Sequence, residues 1–326
     1  MAEIVLGMGS SHSPQLNIPP EHWAVLQEKD RTDKRFDYAA LAAKAGPGLE
    51  AELDPAVWRA KYARCHQAMA TMREAVERIQ PDLLVVVGDD QHEQFLDDNM
   101  PMFSVYWGEE ILVKKAPLRD QSVYGSLDWH RLEQAAFDDE PRTYPGAPQF
   151  ALHLIEHFRQ RGVDVAASRI LREEIGAGHA FTHLYRRLLP EGYVVPVVPV
   201  MLNTFYPPNP PTPSRCWQVG EILREAVQAW PKRLRVGVVA SGGLSHFVID
   251  EALDRRVLAA LAQRDAATLG ALPESSLVLG TSEIRCWIVV GAAVGDLSMQ
   301  VVDYVPCYRS LAGTGCGMGF ALWYSA

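Results

Sequence analysis

No stretch of this sequence approaches the ~20 consecutive apolar residues that a bilayer-spanning helix needs. The most apolar windows, Tyr193 to Leu202 and Trp287 to Val294, are far shorter. The chain does not open with a basic segment, an apolar stretch and a cleavage site, so nothing directs secretion and a cytoplasmic location is expected. Lysine and arginine form no long runs. With 31 of them against 40 acidic residues the formal net charge is -9, which leaves no cationic field to gather phosphates. Neither a membrane nor a nucleic acid is therefore an expected partner. The five cysteines (Cys65, Cys216, Cys286, Cys307, Cys316) are an odd set without C-x-x-C spacing. That argues against a disulfide framework and against a thiolate zinc site, and they read as reduced and mostly structural.

What is present suits a folded body. Apolar residues make up 48% of the 326 and charged residues 22%, which leaves little room for long disordered tracts. Short apolar runs ended by glycine read as buried strands at Glu3 to Met8, Leu83 to Val87 and Leu234 to Ala240. Further strands are expected at Val163 to Ala167, at Tyr193 to Leu202 with breaks at Pro196 and Pro199, at Met299 to Val305 and at Met318 to Tyr324. Helical spacing follows the Asp54-Pro55 cap as far as Ile79, and recurs at Pro148 to Arg161, Thr212 to Trp230, Asp250 to Arg264 and Ser282 to Val294. This alternation predicts an α/β protein with a mostly buried central sheet, helices packed on it, and a single domain over residues 1–326. The Pro-rich stretch from Tyr206 to Pro213 reads as a rigid loop within that domain.

Three histidines share one context. His12, His92 and His246 each follow an apolar strand by a few Gly, Ser or Asp residues. Loops past the carboxyl ends of strands line the ligand crevice of open α/β sheets, so the three can converge if their strands run the same way. Any one alone is more often a loop histidine bonded to backbone; the threefold recurrence favours a site. Glu283 follows Thr281 and Ser282 at the start of an apolar helix, where the helix dipole favours an ionised carboxylate ready for a metal, although such residues are also common for stability alone. Gly178-His179-Ala180, with His183, presents an imidazole at a helix start and offers His179 as a second acid, base or hydrogen-bond donor. A competing motif is His153-Leu154-Ile155-Glu156-His157, which fits the H-x-x-E-H pattern of inverted zinc peptidases. It has only three fixed letters, and ten histidines make a chance match easy, so a plain surface reading is favoured there. His22, His66 and His130 read as structural or solvent-facing.

Taken in order, Gly9-Ser10-Ser11-His12-Ser13-Pro14, Gly88-Asp89-Asp90-Gln91-His92-Glu93-Gln94-Phe95, Gly178-His179, Gly242-Gly243-Leu244-Ser245-His246 and Gly280-Thr281-Ser282-Glu283 resemble the class III extradiol dioxygenases. The likeness is to the β chain of protocatechuate 4,5-dioxygenase and to the gallate and 3-O-methylgallate dioxygenases, and it covers nearly the whole chain. No single motif is specific, but five in the right order are. The resemblance implies Fe(II) bound by His12, His92 and Glu283, with His246 as active-site acid/base and His179 as a second polar group of the pocket. The implied substrates are a small aromatic diol of the gallate, 3-O-methylgallate or protocatechuate class, and O2. Two imidazoles and one carboxylate suit Fe(II) because they leave positions for both reactants on one ion. A homo-oligomer, with a small partner subunit as an option, is implied as well. Two departures stand out: some thirty extra residues between His12 and His92, and Leu311-Ala312-Gly313-Thr314-Gly315 where the protocatechuate relative has a Ser-Asn pair contacting the substrate carboxylate. The alternatives are a non-catalytic binding protein on the same fold, and a zinc hydrolase using His153, Glu156 and His157.

Overall fold

The computed structural model describes residues 1–118, 121–124, 126–137 and 140–325. Among these, the strands are β1 (Ala2–Ser10), β2 (Leu83–Asp89), β3 (Phe103–Tyr106), β4 (Glu110–Val113), β5 (Arg142–Pro145), β6 (Ala166–Ser168), β7 (Val197–Leu202), β8 (Leu234–Ser241), β9 (Ser298–Tyr308) and β10 (Gly315–Tyr324). Eight of them form one sheet in the order β6-β3-β7-β2-β8-β1-β10-β9, and β4 pairs with β5 separately. The central four, β7, β2, β8 and β1, run parallel, so their carboxyl ends share one edge of the sheet. β3 and β10 flank them antiparallel.

Every residue of β2 is buried, as expected of a parallel strand covered on both faces. The two-residue period of a strand then sorts its side chains. Val85 and Val87 join the core built with helices Pro148–Gln160, Pro213–Ala229, Glu251–Gln263 and Ile284–Ala293, while Leu84 and Val86 face the core built with helix Pro55–Ile79. The α/β class, the buried sheet and the single body expected from the alternation are all present. The Asp54 carboxylate accepts the Ala56 N–H at 2.6 Å and starts helix Pro55–Ile79 where the cap signal lies. Two expected strands are shorter than read: β6 keeps three residues, and β7 begins only after Pro196. β3, β4 and β5, of four residues each, are too short for their alternation to be legible.

At the outer side of β9, one face of helix Pro55–Ile79 covers the strand edge. Trp58 Nε1, Lys61 Nζ and Arg64 Nη2 donate to the carbonyls of Tyr308, Pro306 and Tyr304, at 3.0, 2.5 and 3.3 Å.

The sheet and helix Ile284–Ala293 meet closely at Gly9, where an added Cβ would lie 2.4 Å from Trp287 Cζ3. The indole cannot easily retreat, because it is fully buried and its Nε1 donates to Gly242 O at 2.8 Å. Gly9→Ala is therefore expected to destabilise the fold by about 1–3 kcal/mol, the usual cost of overpacking. Urea unfolding would measure it, and an unchanged midpoint would mean that the ring can move aside.

Candidate metal centre

The shared edge of β1, β2 and β8 delivers three segments to one place: Ser11-His12 after β1, Asp89 at the end of β2, and Gly242 to His246 after β8. Helix His179–His183 and the turn Leu279–Glu283, which leads into helix Ile284–Ala293, complete the surround. Among the described residues His12, Asp89, His179 and Glu283 form a group that could hold a metal ion, each offering one atom within 4.8 Å of the others. His12 Nε2 lies 3.3 Å from Glu283 Oε2 and 3.8 Å from Asp89 Oδ1, and His179 Nε2 lies 3.8 Å from the same Asp89 oxygen.

The hydrogen bonds behind the two imidazoles decide which ring nitrogen carries the proton. The Ser241 hydroxyl donates to Ala180 O at 2.6 Å, so toward His12 Nδ1, 3.1 Å away, it can only accept. His12 then carries its proton on Nδ1 and turns the Nε2 lone pair into the group. His179 Nδ1 lies 2.8 Å from Glu93 Oε2, an acceptor, so its Nε2 lone pair also faces inward. Such outer partners are what orient metal-binding histidines. Glu283 is anchored on both oxygens: Oε2 accepts the Gly243 N–H at 2.6 Å, and Oε1 accepts from Gln91 Nε2 at 3.3 Å and faces His246 Nε2 at 3.1 Å.

Asp89 has no such support. Its carboxylate is fully buried, yet neither oxygen has a hydrogen-bond partner. Burial, then repulsion from Glu283, pushes its pKa above the ordinary carboxylate value. An unpartnered buried carboxylate is costly, and a cation is the counterpart that removes the cost. The donor set therefore fits a divalent transition metal: two imidazole nitrogens with inward lone pairs and two carboxylates.

His246 lies beside this group. Its Nδ1 faces Leu244 O at 2.9 Å and its Nε2 faces Glu283, so both ring nitrogens meet acceptors. Burial opposes a charge on the ring, but Glu283 outweighs it and the pKa stands well above the usual histidine value. For Glu283 burial again works against the charge, but the neighbouring His246 prevails and holds its carboxyl well below the usual range. His183, buried and 3.0 Å from Ser10 Oγ, is kept neutral chiefly by burial.

Four of the five site residues read from the sequence, His12, His179, His246 and Glu283, line one cavity of about 120 Å³. His92 stands apart. Its backbone takes a left-handed turn, φ 57°, which carries the ring onto Tyr206 with centroids 3.7 Å apart and Nε2 3.1 Å from Asp97 Oδ1. Glu93, the next residue, holds His179 instead, accepting its backbone N–H at 2.9 Å and facing its Nδ1 at 2.8 Å. Asp89 is the residue that sequence reasoning left out of the ligand group; the available signal was an acidic residue closing an otherwise apolar strand. The H-x-x-E-H motif does not converge. His153 Nε2 donates to Ala226 O at 2.8 Å, His157 Nε2 lies 3.9 Å from Glu225, and Glu156 is largely exposed beside Arg159.

An α/β body with a group of histidines and carboxylates at the carboxyl edge of its parallel strands defines a candidate metalloprotein. Residues 55–277 match the family described as the catalytic LigB subunit of aromatic ring-opening dioxygenase, and the chain belongs to it. It is 28% identical over 180 residues to a 2,3-dihydroxyphenylpropionate/2,3-dihydroxicinnamic acid 1,2-dioxygenase of Comamonas testosteroni, covering 55% of this chain and 48% of that one. It is 39% identical over 75 residues to a gallate dioxygenase of Pseudomonas putida, 22% of each chain. The chain thus spans about half the length, or less, of these curated relatives. Among the described residues, no helix is long and apolar enough to cross a membrane.

The loop that carries His246 hangs on a buried carboxylate. Asp254 accepts the Ser245 N–H, the Ser245 hydroxyl and the Tyr304 hydroxyl, each at 2.7 Å. Burial nevertheless pushes its pKa up from 3.8 to about 6. A carboxyl raised in the folded state binds its proton more tightly there than when unfolded, so its stabilising contribution is full below 3.8 and is lost as pH rises through about 6. Across that window the wild type should lose stability relative to Asp254→Asn, which has no proton to release. Urea unfolding of both proteins at about pH 4 and about pH 7 reads this difference, and equal differences at the two pH values would return Asp254 to an ordinary carboxylate.

Proposed function

We propose that the chain is an Fe(II)-dependent enzyme that opens the ring of a small aromatic diol with O2, with the ion held by His12, Asp89, His179 and Glu283. The observation that carries this reading is the buried, unpartnered Asp89 carboxylate facing two imidazole lone pairs and Glu283 in a group of 4.8 Å, in a chain of the ring-opening dioxygenase family. When bound, Fe(II) supplies the electron path between the diol and O2. The substrate belongs with the gallate, 3-O-methylgallate and protocatechuate class or with the 2,3-dihydroxyphenylpropionate named for the Comamonas relative.

The residues divide the remaining work. Ser241 and Glu93 hold His12 and His179 in the tautomers that bind metal. Gly243 N–H and Gln91 keep Glu283 from turning away. His246 lines the same cavity, with Nδ1 fixed by Leu244 O and Nε2 held against Glu283 Oε1; once Glu283 is committed to the ion, Nε2 would be the atom that returns or takes up a hydroxyl proton of the diol. Leu26 and the indole of Trp129, both buried, line the cavity and limit water around the ring. His92 is left out of the proposed ligand set because its ring is packed on Tyr206.

Purified protein is expected to carry one Fe(II) per chain. Asp89→Asn, His12→Ala and Glu283→Ala should each lose it, whereas His92→Ala should retain it. Metal analysis decides the point: retention in Asp89→Asn, or loss in His92→Ala, would move the third position back to His92. A protein without metal that still bound catechols would be a binding protein on this fold, and zinc lost with His153→Ala would point to the helix motif. A second measurement concerns His246→Gln, which should keep iron and bind catechol yet lower turnover by about 10² to 10⁴. Oxygen uptake within roughly threefold of wild type would remove His246 from proton transfer.

A further inference from the structure

Positive charge on the cavity wall is unevenly spent. Lys29, Arg35 and Arg309 all reach the wall, and all are engaged with carboxylates behind it. Lys29 Nζ lies 3.1 Å from Asp30 and 3.2 Å from Asp33, Arg35 clasps Asp33, and Arg309 holds both oxygens of Asp30 at 2.6 and 2.9 Å. Arg186 and Arg187 also line the cavity and are half-buried, but among the described residues neither has a carboxylate within ion-pairing distance. Arg186 donates once, to Lys114 O at 3.1 Å, and its guanidinium lies 3.7 Å from the Phe137 ring centroid. Arg187 Nε donates to Asn17 Oδ1 at 2.9 Å. Glu133 is within electrostatic reach of both, but one carboxylate against two guanidinium groups leaves an excess of positive charge.

The position of this excess is set by one helical face. His179, Thr182, His183 and Arg186 all line the cavity, on a helix that is α over His179–His183 and passes into a π turn over Leu184–Leu188. Seven residues advance about 10 Å along an α-helix, and somewhat less where the last of them form a π turn. The cavity wall therefore runs from the proposed metal group at His179 to Arg186 nearly two turns beyond it. A carboxylate bonded directly to the ring stays within a ring's breadth of the hydroxyls, whereas a short carbon arm carries it farther along this face.

We infer that Arg186, flanked by Arg187, is the anion subsite of this cavity, and that the substrate is an aromatic diol bearing its carboxylate on a short aliphatic arm. This rests on the ring-opening reading for the diol end only. Guanidinium groups with no carboxylate within ion-pairing distance among the described residues are suited to bidentate capture of such a group.

Calorimetry with 3-phenylpropionate, which has the arm but no diol, tests the subsite apart from the chemistry. Wild type should bind it, Arg186→Met should bind ~10- to 100-fold more weakly, the range for a lost charge-assisted hydrogen bond, and Arg186→Lys should recover part of the loss. With iron-loaded enzyme, Arg186→Met should raise KM for 3-(2,3-dihydroxyphenyl)propionate by a similar factor, with kcat and the KM for unsubstituted catechol within roughly threefold of wild type. Unchanged 3-phenylpropionate binding in Arg186→Met overturns the subsite. An equal KM penalty for 3,4-dihydroxybenzoate overturns the arm. If wild type consumes no O2 with any diol but still binds 3-phenylpropionate through Arg186, the ring-opening reading fails and the anion subsite stands.

Discussion

Two carboxylates and two imidazole lone pairs held within 4.8 Å of one another, with His12, Asp89 and Glu283 buried and His179 partly so, form an arrangement that repels itself until a cation joins it. The rest of the centre is arranged around that constraint. Asp89 closes a strand buried along its whole length, so it cannot swing outward to find water. Glu283 is tied at both oxygens, and each imidazole is tied at the nitrogen that points away from the group. Coulomb repulsion between Asp89 and Glu283 is thereby maintained by the fold, which keeps the position ready for a divalent ion.

The electrostatics on the two sides of the cavity have opposite designs. Around Lys29, Asp30, Asp33, Arg35 and Arg309, every cation is paired directly with a carboxylate, and Lys29 and Arg35 fix the loop that carries Phe247 through contacts with its ring, both 4.4 Å from the centroid. Along the His179 to Arg187 face, cations are left facing the cavity. The first arrangement builds a wall and the second can receive a ligand.

Much of the fold was legible because the central strands are short, continuously apolar and punctuated by glycine, and because helix Pro55–Ile79 begins with a cap that Asp54 and Pro55 announce. His12, Glu283 and His246 were legible from their positions past strands and at a helix start. Asp89 was hidden for a physical reason: a carboxylate at the end of a strand looks like the first polar residue of a loop, and only the three-dimensional burial shows that it lacks a partner. His92 drew attention through its spacing after β2, but its direction depends on the left-handed turn and on Tyr206, a loop residue more than a hundred positions away. The arginine pair at 186 and 187 shows nothing unusual in sequence, since its character comes from having, among the described residues, no carboxylate within ion-pairing distance and only Glu133 within electrostatic reach of both.

The cover over β9 bears on how copies of this chain can meet. An uncovered edge strand invites another strand to extend the sheet through its free carbonyls and amides. Here Trp58, Lys61 and Arg64 take the carbonyls of Tyr308, Pro306 and Tyr304, alternate positions that face the same way, and Pro306 has no amide hydrogen to offer. The carboxyl half of this edge is closed to strand addition, so copies of this chain cannot associate by continuing the β-ladder there.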